Sequence, residues 1–233
     1  MRSHGSAIPS RTPAAPADWM LLVVIALPLL AGCVNTLAIA SKVFVGDPKQ
    51  PSAFQQVTGE SLSESKKKVL VYCSAAPILT EDFGAVASDL QDELIPRMRR
   101  HEIDVLPPDT GVRVIDRIGR FDAEALGQEL EDVDYIMHIH IDAFSLTVPN
   151  SPDLYHCQSH GTVTGFEVRK DEDGGKTVFQ IFERNFENEY PSNHPVSREQ
   201  VSRNVFYHRA IDFMADTVGT SFYDVPMSAL YAR

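Results

Sequence analysis

A chain of 233 residues, 43% of them hydrophobic, is long enough to bury a core, and about one compact domain with extensions is the default at that length. That content excludes a wholly disordered chain. A formal net charge of −11 argues against binding to a phosphate backbone, which takes clustered Lys and Arg, so nucleic acid is not an expected partner.

The first elements read as a targeting leader. Arg2 and Arg11 precede a Pro- and Ala-rich stretch, residues 19–30 form an apolar run, and Ala31 and Gly32 supply small residues of the kind a signal peptidase cleaves beside. Roughly 20 apolar residues are needed to span a bilayer as a helix, so this run by itself is too short. The tetrad Leu30-Ala31-Gly32-Cys33 resembles the lipobox of bacterial lipoproteins at all four positions. The resemblance implies cleavage before Cys33, diacylglycerol on its sulfur (palmitate is a typical acyl chain), and Cys33 as the mature N-terminus. Residues 1–32 are then a signal peptide, and the rest lies outside the cytoplasm on the periplasmic side or at the outer membrane. Because residues 19–41 carry no charge, an uncleaved single-pass helix also fits, as an accessory subunit of a transporter. Plain secretion with an incidental cysteine is the third reading.

Residues 33–66 read as the anchor and a flexible tether, rich in Pro, Ser, Gln and Gly. From residue 67 the pattern turns regular. A buried strand at residues 68–74 leads to a helix with Thr80 as its candidate N-cap and Phe83, Val86, Leu90, Leu94 and Met98 at helical spacing, with Pro96 kinking or ending it. A weaker strand at 103–106 and a short helix led by Asp122 follow, and residues 134–146 form the strongest strand in the chain. After a Pro-rich loop, strands at 155–170 and 176–186 flank the acidic turn Asp171-Glu172-Asp173-Gly174-Gly175. A helix over residues 197–220 completes an α/β domain at 67–220, before a C-terminal tail at 221–233. The order β-α-β-α-β-β-β-α predicts a single mixed sheet of about five strands with helices packed on it.

This order, together with the segment LGQELEDVDYIMHIHIDAF, resembles the periplasmic domain of the CsgG, TolB N-terminal and related assembly lipoproteins. There a Leu-Gly helix, here Leu126-Gly127, leads through an acidic turn to a strand opening on an aromatic and branched pair, here Tyr135-Ile136. His138, Ile139 and His140 depart from the small residues found in the middle of that strand in the family. The resemblance implies a non-enzymatic envelope role through a protein partner, with the membrane held through the lipid.

Histidine is the one constellation suited to chemistry. His138, His140 and Asp142 alternate along one strand face, and His156, Gln158 and His160 alternate along another strand. Antiparallel pairing in a suitable register would bring His138, His140, His156 and His160 together as ligands for a divalent metal, the basis of an alternative reading as a metal-binding protein or metal-dependent hydrolase. Register decides this, since polar residues at period 2 also mark the wetter face of any half-exposed strand. No GxSxG elbow, phosphate loop or HExxH occurs, so no catalytic residue and no cofactor beyond such a metal is assigned. With Cys33 lipidated, Cys73 and Cys157 remain, either bridged or as two separate buried thiols.

Overall fold

The computed structural model describes residues 47–228. The leader, the lipobox and Cys33 lie outside the described residues. In chain order the elements are β1 (Lys49–Gln50), α1 (Ala53–Thr58), α2 (Leu62–Ser65), β2 (Lys68–Ala75), α3 (Thr80–Phe83), α4 (Val86–Arg100), β3 (Asp104–Val105), α5 (Pro108–Ile118), α6 (Ala123–Glu129), β4 (Tyr135–Val148), β5 (Ser151–Lys170), β6 (Lys176–Tyr190), β7 (Val196–Ser197), α7 (Arg203–Gly219) and β8 (Val225–Pro226). The main sheet is mixed and runs β3-β2-β4-β5-β6, with β7 continuing beside β5, while β1 and β8 form a separate two-stranded pair. β2 is parallel to β3 and β4, whereas β4, β5 and β6 are antiparallel neighbours. This is the α/β fold with one mixed sheet that the sequence pattern predicts.

The alternation of side chains divides the sheet into two unequal faces. On the first face Val71, Met137, Ile139, Val163 and Phe182 pack under Leu90, Leu94 and Met98 of α4 and Phe206, Met214 and Val218 of α7, in one continuous buried cluster. On the second face a smaller cluster joins Leu70, Ile136 and Val168 to Val114 and Ile115 of α5 and Leu126 of α6. Helices therefore cover the second face at one end only. Gly127 makes this covering close, since a Cβ there would sit 2.4 Å from a methyl of Val178 on β6.

Helix α5 is absent from the sequence expectation. Its Val112, Val114 and Ile115 are β-branched and its Gly111 a poor helix former, yet Pro108 starts it and Gly119 (φ 78°) ends it by donating its N–H to the Ile115 carbonyl at 2.7 Å. Gly111 is there because a Cβ would meet the Leu70 side chain at 3.0 Å. Pro96 lies inside α4 without ending it, and α7 begins at Arg203, after the Ser202 cap, rather than at residue 197. The connection between β4 and β5 is a tight turn at Pro149 and Asn150 (φ 63°) rather than a long loop.

The tether expected through residue 66 ends earlier. Phe54 and Leu62 are fully buried, and Phe54 packs edge-on to Tyr135 at 5.4 Å between ring centres. Lys67 Nζ and the Tyr135 hydroxyl both donate to Glu60, at 2.9 and 2.6 Å, and tie the same segment to the start of β4. The expected tail is likewise part of the fold, with Phe222 and Tyr223 buried and β8 paired to β1. On the outer layer the Arg97 guanidinium joins α4 to α7 through Glu93, Asp212 and Asp216.

Two glycines let the aromatic rings of β6 lie on β5: Gly161 is opposite Phe186 and Gly165 opposite Phe182. A Cβ at Gly161 would lie 2.1 Å from the His140 carbonyl oxygen and 2.7 Å from the Phe186 ring. Backbone must move to accept it. Gly161→Ala is expected to cost about 1–3 kcal/mol, read as a lower urea midpoint at unchanged m value.

Candidate functional site

Beyond the cover of α5 and α6, the second face of the sheet is open, and most of its polar side chains are found there. Ser74 shares the second face of β2 with Leu70 and Tyr72, and the β2–β4 register sets it opposite His140, with Tyr72 opposite His138. The Ser74 hydroxyl lies 2.8 Å from His138 Nε2 and 2.8 Å from His140 Nδ1. A hydroxyl has one proton, so it donates to one imidazole and accepts from the other, and the two rings must adopt complementary tautomers. Phe121 stacks on His138 at 3.8 Å and lies parallel to Tyr72 at 5.7 Å. The loop carrying Phe121 is fixed on both sides, by the Gly119 turn and by the Asp122 cap, whose carboxylate accepts the Ala125 N–H at 3.1 Å.

Burial under this stack, and then the charge of neighbouring His140, push His138 down to about 4. His138 is therefore neutral at pH 7 and serves as a fixed hydrogen-bonding group. An irregularity in the pairing between Ile141 and Ala143 leaves Asp142 without an opposite residue and turns its carboxylate between two imidazoles. One oxygen is 3.6 Å from His140 Nε2 and the other 4.0 Å from His160 Nδ1.

The register decides the metal expectation. His138 pairs with Thr164 and His140 with Thr162, so His160 falls opposite Ala143. His156 is eight residues from Thr164, about 26 Å along the strand. The four imidazoles share a face and do not converge. Among the described residues, no group of three or more His, Cys, Asp or Glu is placed to hold a metal ion. His156 Nδ1 is buried without a hydrogen-bond partner in the described structure.

Cys73 and Cys157 are both free and buried. Cys73 is level with Ile139 and so with Val163, six residues from Cys157, which puts the thiols about 20 Å or more apart where a bridge needs Cα atoms within about 7 Å. They are separate buried thiols, and the bridged alternative falls on register. Burial pushes Cys157 up to about 12 and Cys73 upward as well, so neither is a ready nucleophile.

Ser74, Phe121 and Tyr72 escape the sequence reading. Alternation in residues 68–74 places Tyr72 and Ser74 on the same face, but only the parallel register with β4 shows which histidines they meet. Chemically the site is a polar and aromatic patch in which the Ser74 hydroxyl joins His138 and His140, with the Asp142 carboxylate 3.6 Å from His140 on its outer side.

No protein-family model matches the chain, and no curated protein does. Solved structures with some likeness include a PelC dodecamer from Paraburkholderia phytofirmans (8% identity, TM-score 0.37, covering 76% of this chain and 96% of that one). A minor lipoprotein from Acinetobacter baumannii is 15% identical with a TM-score of 0.28, covering 67% of this chain and 90% of that one. Lipoprotein GNA1162 from Neisseria meningitidis is 10% identical with a TM-score of 0.31, covering 66% of this chain and 99% of that one. At these scores the likenesses carry no argument about what this chain does.

The pKa of His138 has a consequence for stability. In the unfolded chain the imidazole titrates near its ordinary 6.5, while in the fold it does so at about 4, so between those values the unfolded state binds the extra proton. Its contribution is fully present above pH 6.5 and is lost as pH falls toward 4. Chemical denaturation across this range is expected to show that decline, and His138→Gln should flatten it. NMR titration should find the ring neutral down to about pH 4 in the parent and closer to 6.5 in Phe121→Ala.

Proposed function

We propose that the chain is a membrane-anchored extracytoplasmic lipoprotein that acts by binding another component of the bacterial cell envelope, without catalysing a reaction. The observation that carries this reading is the tetrad Leu30-Ala31-Gly32-Cys33 after its apolar run, 14 residues before Asp47. Cys33 takes the lipid in this reading, and residues 34–46 join it to the folded domain. The chemistry of the other cysteines supports that assignment, because Cys73 and Cys157 are buried with raised pKa values and offer no accessible thiolate. Each buried CH₂ contributes about 0.8 kcal/mol, so two or three acyl chains hold a domain on a bilayer durably where one does not.

The open sheet face supports the binding half of the reading. It presents the exposed Asp142, Gln158 and His160 on strands held by backbone pairing, with the Phe121 ring at its border. Such a surface gives a partner oriented polar contacts at little entropic cost. The partner expected here is a protein of the envelope.

Intact mass and the N-terminal peptide of protein extracted from native membranes test the anchor. The expected species begins at acylated Cys33, and Cys33→Ser should be neither acylated nor cleaved at that position. An uncleaved chain retaining residues 19–41 and no lipid would replace this reading with the single-pass one.

A further inference from the structure

β6 is the last strand of the main sheet, and among the described residues no strand pairs with its outer edge. From Phe182 to Tyr190 its pairing with β5 runs without a bulge, so the edge is regular over nine residues. Proteins usually blunt such an edge with Lys, Pro or a bulge, because its unpaired N–H and C=O groups are a template for another strand. Here the side chains along it have one sign on one side. Glu183, Asn185, Glu187 and Glu189 all project from the open second face, spaced by two residues, and all are exposed.

Two of these carboxylates accept from neutral amides: Gln180 Nε2 donates to Glu183 at 2.7 Å and Gln158 Nε2 to Glu189 at 3.2 Å. Arg184, on the same strand, points to the other face. Asn188 points to that face too, where it is only 6% exposed and its amide donates to the Ser159 hydroxyl at 3.4 Å.

We propose that the outer edge of β6 takes an extended basic segment of another envelope protein as an added strand. The added backbone pairs with the free edge, and Lys or Arg at every second position lies beside Glu183, Glu187 and Glu189. A second copy of this chain is a poor occupant, because β6 against β6 sets carboxylates among carboxylates. This inference rests on the binding reading above and names the partner's chemistry.

The test uses the mature full-length protein in detergent and a fluorescein-labelled peptide of alternating Lys and Val, followed by anisotropy. The same peptide with every backbone nitrogen methylated keeps its charge and cannot pair. Binding is expected to weaken by about tenfold or more both for the methylated peptide and for the variant E183K/E187K/E189K, with Asp109→Lys unchanged. The triple Glu→Gln variant, which adds no positive charge, should weaken binding in the same direction and guards against misfolding of the first. Equal binding of the methylated peptide would reduce the site to charge attraction and overturn the proposal, as would no binding of the parent peptide. Self-association of the protein abolished by E183K/E187K/E189K would overturn it in favour of a second copy. The intact mass of the same preparation reports the anchor separately, so failure of the lipoprotein reading and failure of this one are distinguishable.

Discussion

The antiparallel pairing of β4 with β5 is the interaction on which the other features depend. It joins the parallel half of the sheet, where β2 and β4 run together, to the antiparallel half that ends in β6. Because side chains alternate at period 2, its register decides which face receives every residue of three strands. The odd-numbered residues from Tyr135 to Ile141 go under α4 and α7, and their even-numbered neighbours go to the other face. The irregularity at Asp142 then restores the apolar pattern with Phe144 and Leu146 inward, and leaves a carboxylate between two histidines.

Unequal covering follows from helix placement. α4 and α7 are long and pack along the first face, whereas α5 and α6 are shorter and reach Leu70, Ile136, Phe166, Val168 and Val178. What they leave uncovered is polar, which is why the sheet tolerates water there. The Ser74 bridge uses Nε2 of His138 and Nδ1 of His140, and the Phe121 stack covers the His138 ring. The open face therefore combines a rigid backbone with satisfied polar groups near its centre and exposed carboxylates along its edge. Rigid presentation of that kind suits a surface that binds.

Much of this was legible in the sequence because strand alternation is a local signal. The strongest strand, the acidic turn before Lys176, and the buried stripes of α4 and α7 all follow from spacing alone. Features set by distant contacts were not legible. α5 hides behind β-branched residues that only make sense against Leu70, and Phe54 and Leu62 are single apolar residues in a polar stretch that become core when they meet Tyr135 and its neighbours. Of the four candidate histidines, the shared face was readable but the register on which their convergence depended was not, and that register holds His156 far from His138. The Ser74 bridge needed the β2–β4 pairing to be seen at all.

The central claim is that the open face and its acidic edge are covered by a partner in the envelope. Carbodiimide-driven labelling of carboxylates tests it most directly, with labelling in intact membranes compared with labelling of the purified protein and with exposed Asp109 on α5 as the internal reference. The account predicts that Glu183, Glu187 and Glu189 are protected in membranes and reactive once purified. Equal reactivity of the three in both preparations would contradict it.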